Sequence, residues 1–187
     1  MNRRLVFLLC AMATAPALAH ITPPVLLLSD RDAVSSLLAG ARRYFVREVR
    51  LTPTERQEIK KESGWGPDED FYRFYIGRDE AQHEIGAVIF LTEYTIHGPV
   101  RVAVGLAPDG KVKGAAVVEV SEETYPWVKK LIDHGDLASF VGRDAHSSFT
   151  AGQGPASSMP RFYGDIIAGL VQRAALLYEE GVLKRAR

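Results

Sequence analysis

The sequence predicts an α+β fold: N-terminal helices, then an antiparallel β-meander, then a closing amphipathic helix packed on the sheet. Three observations lead to this prediction. Two helix-start signals occur in the first third of the chain, β-forming residues dominate from Phe71 onward, and a helical apolar stripe lies near the C-terminus. With 187 residues, 47% of them hydrophobic, the chain is long enough for one sizeable core.

The first nineteen residues have the pattern of a signal peptide. Asn2-Arg3-Arg4 is a basic start, Leu5–Ala13 is an apolar run, and Ala17-Leu18-Ala19 fits the small-x-small pattern of a cleavage site. We expect a cleaved signal peptide at 1–19, export to the periplasm, and a single mature domain at 20–187. An uncleaved anchor is the alternative, although the run is shorter than the roughly 20 residues of a membrane span.

Composition excludes several functional classes. The one cysteine, Cys10, lies inside the apolar run, so a mature chain without it has no thiol for disulfides, iron–sulfur clusters or attached haem. Without Arg3 and Arg4, the 23 acidic residues slightly outnumber the basic ones, and no basic run follows. We therefore expect no nucleic-acid partner.

A helical leader is predicted over 20–64. Ser29-Asp30-Arg31-Asp32 resembles a capping box before apolar positions at helical spacing, which predicts a helix of about four turns that runs to Tyr44. Thr52-Pro53-Thr54-Glu55 is a stronger start signal, because Thr52 can cap, Pro53 suits the first turn and Glu55 can reach back. That second helix should end at Gly64.

The core is predicted over 71–183 and begins with strands. Phe71–Ile76, Glu84–Tyr94 and Pro99–Leu106 are rich in β-branched and aromatic residues. Pro108-Asp109-Gly110 separates the last of these from Lys111–Val120, which predicts an antiparallel hairpin.

The end of the chain predicts two helices joined by a long structured loop. A short helix is expected over Thr124–Ile132, the loop over His134–Ser158, and an amphipathic helix over Pro160–Leu183. The predicted buried stripe of the last helix is Phe162, Ile166, Leu170, Ala174 and Leu177.

The segment Gly152–Pro160, which precedes the last helix, is a candidate phosphate site. It offers flexible backbone, the hydroxyls of Ser157 and Ser158, and a helix N-terminus with unpaired amides and a positive dipole end. The plainer interpretation is that Ser157 or Ser158 only caps the helix, with Pro160 in its first turn. The segment is neither a P-loop nor a dinucleotide fingerprint.

The order of these motifs resembles a known family. A glycine loop with Ser157-Ser158 before the terminal helix, a Pro-Asp-Gly hairpin, Glu123-Thr124 and Phe140-Val141-Gly142 are together similar to the FMN-binding domain of Rnf-type and sodium-pumping quinone reductase subunits. Soluble periplasmic proteins share that domain. The resemblance covers Phe71 to Leu183, although the loop itself is a degenerate form of the family signature.

In that family, a Ser-Gly-Ala-Thr-x-Thr/Ser signature opens the last helix, and its final hydroxyl can be esterified to the FMN phosphate. Here Gly154 matches the signature glycine and Ser158 the acceptor position, while Gln153, Pro155 and Ala156 replace Ser, Ala and Thr. The cofactor-binding residues implied by the resemblance are Glu123, Thr124, Gly154, Pro155, Ala156, Ser157, Ser158 and Met159.

The resemblance implies an electron-transfer flavoprotein rather than a turnover enzyme, with no catalytic residues of its own. The substitutions in the loop favour FMN held noncovalently over attachment at Ser158. Its partners would be redox proteins, among them membrane or haem proteins. The alternative is a binding or assembly module that keeps the fold without flavin.

Other residues carry weaker hypotheses. The histidines lack metal-site spacing and are interpreted as surface or loop residues, although His20 as a mature N-terminus could chelate copper. Asp144, His146 and Ser147 contain the residue types of a hydrolase but no nucleophile elbow. Trp127, which follows Glu123-Thr124, is expected to be a better flavin-ring neighbour than Trp65.

Overall fold

The computed structural model describes residues 23–152 and 154–186, and it confirms the α+β class. A six-stranded antiparallel sheet has the order β1-β6-β5-β4-β3-β2. Its strands are β1 (Pro24–Leu26), β2 (Arg43–Val49), β3 (Tyr72–Arg78), β4 (Glu84–Thr95), β5 (Gly98–Leu106) and β6 (Val112–Ser121). The α-helices are α1 (Asp30–Leu37), α2 (Pro53–Ser63), α3 (Tyr125–Asp133) and α4 (Met159–Tyr178).

The helices lie on both faces of the sheet. On one face, α2, α3 and α4 pack over a large core that includes Phe74, Ile89, Val104 and Leu170. On the other face, α1 covers β5 and β6 through a smaller cluster around Leu38. No helix within the described residues is long and apolar enough to cross a membrane.

Helix α2 begins and ends where its sequence predicts. Glu55 Oε2 accepts a hydrogen bond from the Thr52 amide at 2.7 Å, and the Glu55 amide donates to Thr52 Oγ1 at 3.3 Å. Both halves of the capping box are therefore present. The helix ends at Gly64, which caps it in the left-handed conformation.

The meander also follows the sequence prediction. β3, β4, β5 and β6 pair consecutively and antiparallel, and β5 and β6 are joined by the Pro-Asp-Gly turn. α3 lies within one residue of its predicted bounds. The predicted loop between α3 and α4 contains a short 3₁₀ segment, Asp136–Phe140.

The predicted helical leader is only partly correct, because it also forms two strands. The first helix does not reach Tyr44: α1 ends at Leu37, and Arg43–Val49 forms β2, which pairs with β3 from Arg43↔Arg78 to Val49↔Tyr72. Gly40 has φ +96° in the connection, which suits a break between two elements. Residues 23–64 therefore contribute strands β1 and β2 to the sheet as well as helices.

The last helix also departs from its prediction. The α-helix ends at Tyr178 and continues as a π-helical turn, Glu179–Leu183, before the short 3₁₀ turn Lys184–Ala186. Phe162, expected on the buried stripe, is 45% exposed, whereas Tyr163 beside it is fully buried. The predicted signal peptide and His20 lie outside the described residues.

An ion pair joins the C-terminal turn to α2 and should affect the free energy of unfolding at acid pH. Arg185 Nε donates to Glu55 Oε1 at 2.7 Å, and this pairing lowers the pKa of Glu55 from 4.5 to about 2. A lowered carboxylate pKa adds stability that is present above pH 4.5 and is lost as the pH falls toward 2. Glu55→Gln should therefore flatten the dependence of unfolding free energy on pH between about 4.5 and 2, measured by urea denaturation.

Glu58→Gln is the matched control, because Glu58 is exposed on the same helix and has no ion pair within the described residues. If the unfolding free energy fell equally steeply with pH in Glu55→Gln and in the unchanged protein, Glu55 would not be the source of the pH dependence.

Candidate functional site

The candidate site lies at one end of the sheet, where the β4–β5 turn, the end of β6 and the first turns of α4 meet. β5 pairs with both β4 and β6, which places His97 of the turn beside Ser121. Ser121 Oγ–H donates to the His97 carbonyl and accepts from the Thr124 amide at 3.2 Å. The turn and the segment after β6 are thereby joined.

A buried hydroxyl network then reaches helix α4. Thr124 Oγ1 lies 2.8 Å from Ser121 Oγ and 3.2 Å from the hydroxyl of Tyr163. All three side chains are fully buried. Because buried polar atoms need partners, this network fixes the first turns of α4 against the Glu123-Thr124 segment.

Aromatic rings surround the network. Trp127 and Tyr163 are stacked, with ring centroids 5.6 Å apart and an interplanar angle of 10°. His97 meets Trp127 edge-on at 5.6 Å, and Phe162 meets Tyr163 edge-on at 5.2 Å. Since Phe162 is partly exposed, this aromatic group extends from the core to the surface.

His97 and Glu123 form a polar pair at the edge of this group. His97 Nδ1 lies 2.8 Å from Glu123 Oε1, and the side chains are 25% and 45% exposed respectively. From the sequence, His97 was predicted to be a surface or loop residue, and its pairing with Glu123 was not predicted. The two residues are 26 positions apart, so the sequence gives no local signal of their contact. Two consecutive hairpins bring them together.

The predicted phosphate loop enters α4 through a tight turn. The Ser158 amide donates to the Pro155 carbonyl at 2.9 Å, and Gly154 has φ +107°. A Cβ at Gly154 would lie 3.2 Å from Ser158 Oγ, so glycine suits both the backbone conformation and the space. Residues 154–157 are exposed, and Ser158 and Met159 are partly buried.

Ser158 is the N-cap of α4. Its Oγ accepts from the Arg161 amide at 3.4 Å, and Pro160 lies in the first turn. The capping interpretation of Ser158 is therefore what the geometry shows. Capping uses a lone pair of the oxygen and leaves the hydroxyl proton free to donate.

The structure brings some of the predicted residues together and leaves others apart. Thr124 touches Tyr163, which follows Ser158 by five residues, about 7.5 Å along the helix axis. Gly154, Pro155, Ala156 and Ser157 make no hydrogen bond with Glu123 or Thr124. Ser121 and Tyr163, which link the two halves, were missed because serine and tyrosine carry no motif at these positions.

The remaining candidates are placed elsewhere. Trp65 lies at a groove of about 520 Å³ beside β4, to which none of residues 154–159 contributes. Asp144 and Ser147 hydrogen-bond each other within their own loop, and His146 turns away to bind other carboxylates. Among residues 23–152 and 154–186, no cluster of three or more His, Cys, Asp or Glu side chains could hold a metal ion.

No protein-family model matches this chain, and no curated protein matches it either.

The buried network allows a direct test of its contribution to stability. Tyr163→Phe removes the hydroxyl that Thr124 contacts and should lower the free energy of unfolding by about 1 kcal/mol. Tyr94→Phe is the matched control, since Tyr94 is 81% exposed and should change stability little. Urea denaturation followed by tryptophan fluorescence measures both; equal effects of the two substitutions would contradict a role for the network.

A second test concerns His146, which bridges two elements. Its Nδ1 lies 3.1 Å from Glu62 of α2, and its Nε2 lies 3.2 Å from Glu179 after α4. Hydrogen bonds to these carboxylates, Glu62 first, raise the pKa of His146 above 6.5. The resulting stability is fully present below pH 6.5 and is lost as the pH rises through the raised value.

We therefore expect His146→Asn to destabilise the protein at pH 5.5 and to have a much smaller effect at pH 9, measured by urea denaturation across that range. His83→Asn is the control, because the His83 side chain is 80% exposed and its carboxylate partner lies four residues away in the same turn. A destabilisation by His146→Asn that is independent of pH would show that packing, not charge, is the contribution.

Proposed function

We propose that this chain is an exported FMN-binding protein that carries electrons, with the flavin phosphate held at the loop before α4. The observation that carries the proposal is the contact between Thr124 and Tyr163. It joins the Glu123-Thr124 motif to helix α4 at a residue 39 positions later in the sequence and five residues after Ser158. In the family that the sequence resembles, the Glu-Thr pair and the loop that opens this helix belong to one site. The proposal rests on that resemblance together with this juxtaposition.

The residues of the loop fit an anionic group. The amides of Ala156, Ser157 and Met159 make no hydrogen bond to any described residue, and the two serine hydroxyls lie beside them. The positive end of the α4 dipole adds to this potential, since the helix is twenty residues long. Pro160 has no amide proton, so the donors come from the loop and from Met159 rather than from deeper in the helix.

The aromatic group fits the remainder of a flavin. Trp127 lies next to His97, which pairs with Glu123, and the exposed Phe162 offers a second aromatic ring beside Tyr163. When bound, FMN supplies the one- and two-electron chemistry. The chain's own residues would bind the phosphate, hold the ring against the aromatic side chains and shield one side of it from water.

The cap at Ser158 supports the proposal that FMN is bound noncovalently. Ser158 Oγ already accepts the Arg161 amide as the helix cap, and an ester at that oxygen would weaken the cap. Redox proteins, including membrane or haem proteins, are the proposed partners, and the periplasm is the proposed compartment.

The first experiment is a visible absorption spectrum of the mature protein, exported in a host that has a flavin transferase. We expect flavin absorbance that acid precipitation releases to the supernatant, which indicates noncovalent FMN. Colour retained by the precipitate would identify covalent attachment. A colourless protein that also fails to bind added FMN would contradict the proposal and favour the flavin-less assembly module.

The loop is tested by Ser158→Ala, with Ser139→Ala in the 3₁₀ segment as the control. A hydrogen bond to a charged phosphate contributes about 1.5–3 kcal/mol, so Ser158→Ala should weaken FMN binding roughly 10- to 100-fold. Fluorescence titration of the apoprotein with FMN measures the affinity. Unchanged affinity in Ser158→Ala would place the phosphate elsewhere.

A further inference from the structure

Strand β2 forms the longer of the two edges of the sheet. The opposite edge, β1, has three residues, whereas β2 runs over seven, Arg43–Val49, and all but Val49 are exposed. Within residues 23–152 and 154–186, β2 pairs with β3 alone, so its other side is open. At about 3.4 Å per residue, this open side offers about 24 Å of backbone amides and carbonyls to an added strand.

One face of β2 carries two arginines beside an exposed phenylalanine. Val49 is buried in the main core. Because side chains alternate along a strand, Arg43, Phe45 and Arg47 point to the same face as that residue. The guanidinium of Arg78, on β3, lies 5.2 Å from the centre of the Phe45 ring. In the described part of the chain these three arginines form no ion pair, and all are exposed.

Three carboxylates lie near this face but do not pair with its arginines. Glu84, at the start of β4, accepts a hydrogen bond from the Tyr178 hydroxyl at 2.8 Å. Asp79, in the turn after β3, lies 3.4 Å from the ring of His83, and Glu80 is exposed in the same turn. The arginines are therefore available to the carboxylates of a binding partner.

The other face of β2 is mainly apolar. Tyr44 and Val46 are 47% and 57% exposed, and Val46 lies opposite Tyr75 of β3. Glu48, the one carboxylate of the strand, lies 3.0 Å from the guanidinium of Arg73 and is paired with it. An added strand would thus meet unpaired cations on one face of the sheet and apolar side chains on the other.

The charges at this edge favour an acidic occupant. Residues 42–50 and 71–84 carry six arginines and four carboxylates, so the excess charge is positive. A second copy of the chain would place two such edges side by side, and like charges on neighbouring strands are destabilising. A lipid surface could neutralise the arginines but would not pair with the open backbone. An acidic strand would do both.

We propose that the open edge of β2 is a docking site for an extended segment of a partner protein in which acidic and apolar residues alternate. The segment would add a seventh strand to the sheet through backbone hydrogen bonds. Its carboxylates would lie beside Arg43 and Arg47, and its apolar side chains would pack against Tyr44 and Val46. This proposal does not depend on flavin binding.

The probes are three heptapeptides with blocked ends and an uncharged fluorescent label. The first alternates glutamate with valine, the second has the same composition with glutamates and valines in separate blocks, and the third alternates lysine with valine. Fluorescence anisotropy with the full mature protein should show the first peptide binding at least tenfold more tightly than either of the others. Failure of the first peptide to bind at about 1 mM, or equal binding of the alternating and block peptides, would overturn the proposal.

Amide hydrogen exchange locates the bound peptide. Strand addition predicts that the first peptide slows exchange at those amides of β2 that point away from β3. Protection of β1 in place of β2, or unchanged exchange in β2 with the peptide bound, would overturn strand addition at this edge.

A charge-matched pair of variants tests the contact with the arginines. Arg43→Gln with Arg47→Gln should weaken binding of the alternating glutamate peptide about tenfold, because two exposed ion pairs are lost. Arg31→Gln with Lys61→Gln removes two exposed cations from α1 and α2 and should leave the affinity unchanged. Equal losses in the two double variants would show only general attraction between an anion and the protein, and would overturn the assignment.

Two further measurements test the other occupants. Vesicles of phosphatidylglycerol and phosphatidylcholine are mixed with the protein, and the protein alone is examined by sedimentation. Vesicle binding that Arg43→Gln with Arg47→Gln abolishes, while no peptide binds, would make a lipid surface the occupant. A dimer of the protein alone in which the outward amides of β2 are protected would make a second copy the occupant. Either result would overturn the proposal of an acidic partner segment.

Discussion

The packing of α4 across one face of the sheet organises the main core and the contacts at both ends of this helix. Tyr163, Ile167, Leu170, Ala174 and Tyr178 are all buried against the main core. Burial of a side chain such as Ile167 or Leu170 stabilises by about 1.5–3 kcal/mol, so this helix contributes substantially to the core.

The packing of α4 also positions polar side chains along the helix. Near its start, Tyr163 meets Thr124; in its middle, Arg173 pairs with Glu93 of β4; at its end, the Tyr178 hydroxyl donates to Glu84 at 2.8 Å. Burial and the Glu84 carboxylate raise the pKa of Tyr178, which keeps that phenol a neutral donor. One helix thus positions the candidate flavin site and one wall of the β4 groove.

Local signals in the sequence predicted the elements that stabilise themselves locally. The capping box at Thr52 and the Pro-Asp-Gly turn each specify their own backbone, so α2 and the β5–β6 hairpin could be predicted. Strand β2 could not, because Tyr44, Phe45 and Val46 are exposed at the sheet edge and show no clean alternation. Its extended conformation comes from pairing with β3, and such tertiary pairing outweighs the local preference of the sequence.

The residues of the candidate site likewise fall into those that the sequence predicted and those that only the fold brings together. Glu123, Thr124 and the loop before α4 are recognisable as motifs, whereas His97, Ser121 and Tyr163 join the site only through the order of the strands and the direction of α4. Single polar residues in hairpin turns or on a buried helix face are common in any sequence. Their role becomes visible once consecutive antiparallel pairing places the β4–β5 turn beside the end of β6.

A phosphate site at the start of α4 is tested by an NMR titration of the ¹⁵N-labelled apoprotein with FMN and, separately, with riboflavin, which lacks the phosphate. We expect FMN to shift the amides of residues 154–159, Pro155 and Pro160 having none, and the indole of Trp127, and riboflavin to shift the loop amides much less. Shifts confined to the groove around Trp65, or identical loop shifts with both compounds, would contradict a phosphate site at the start of α4.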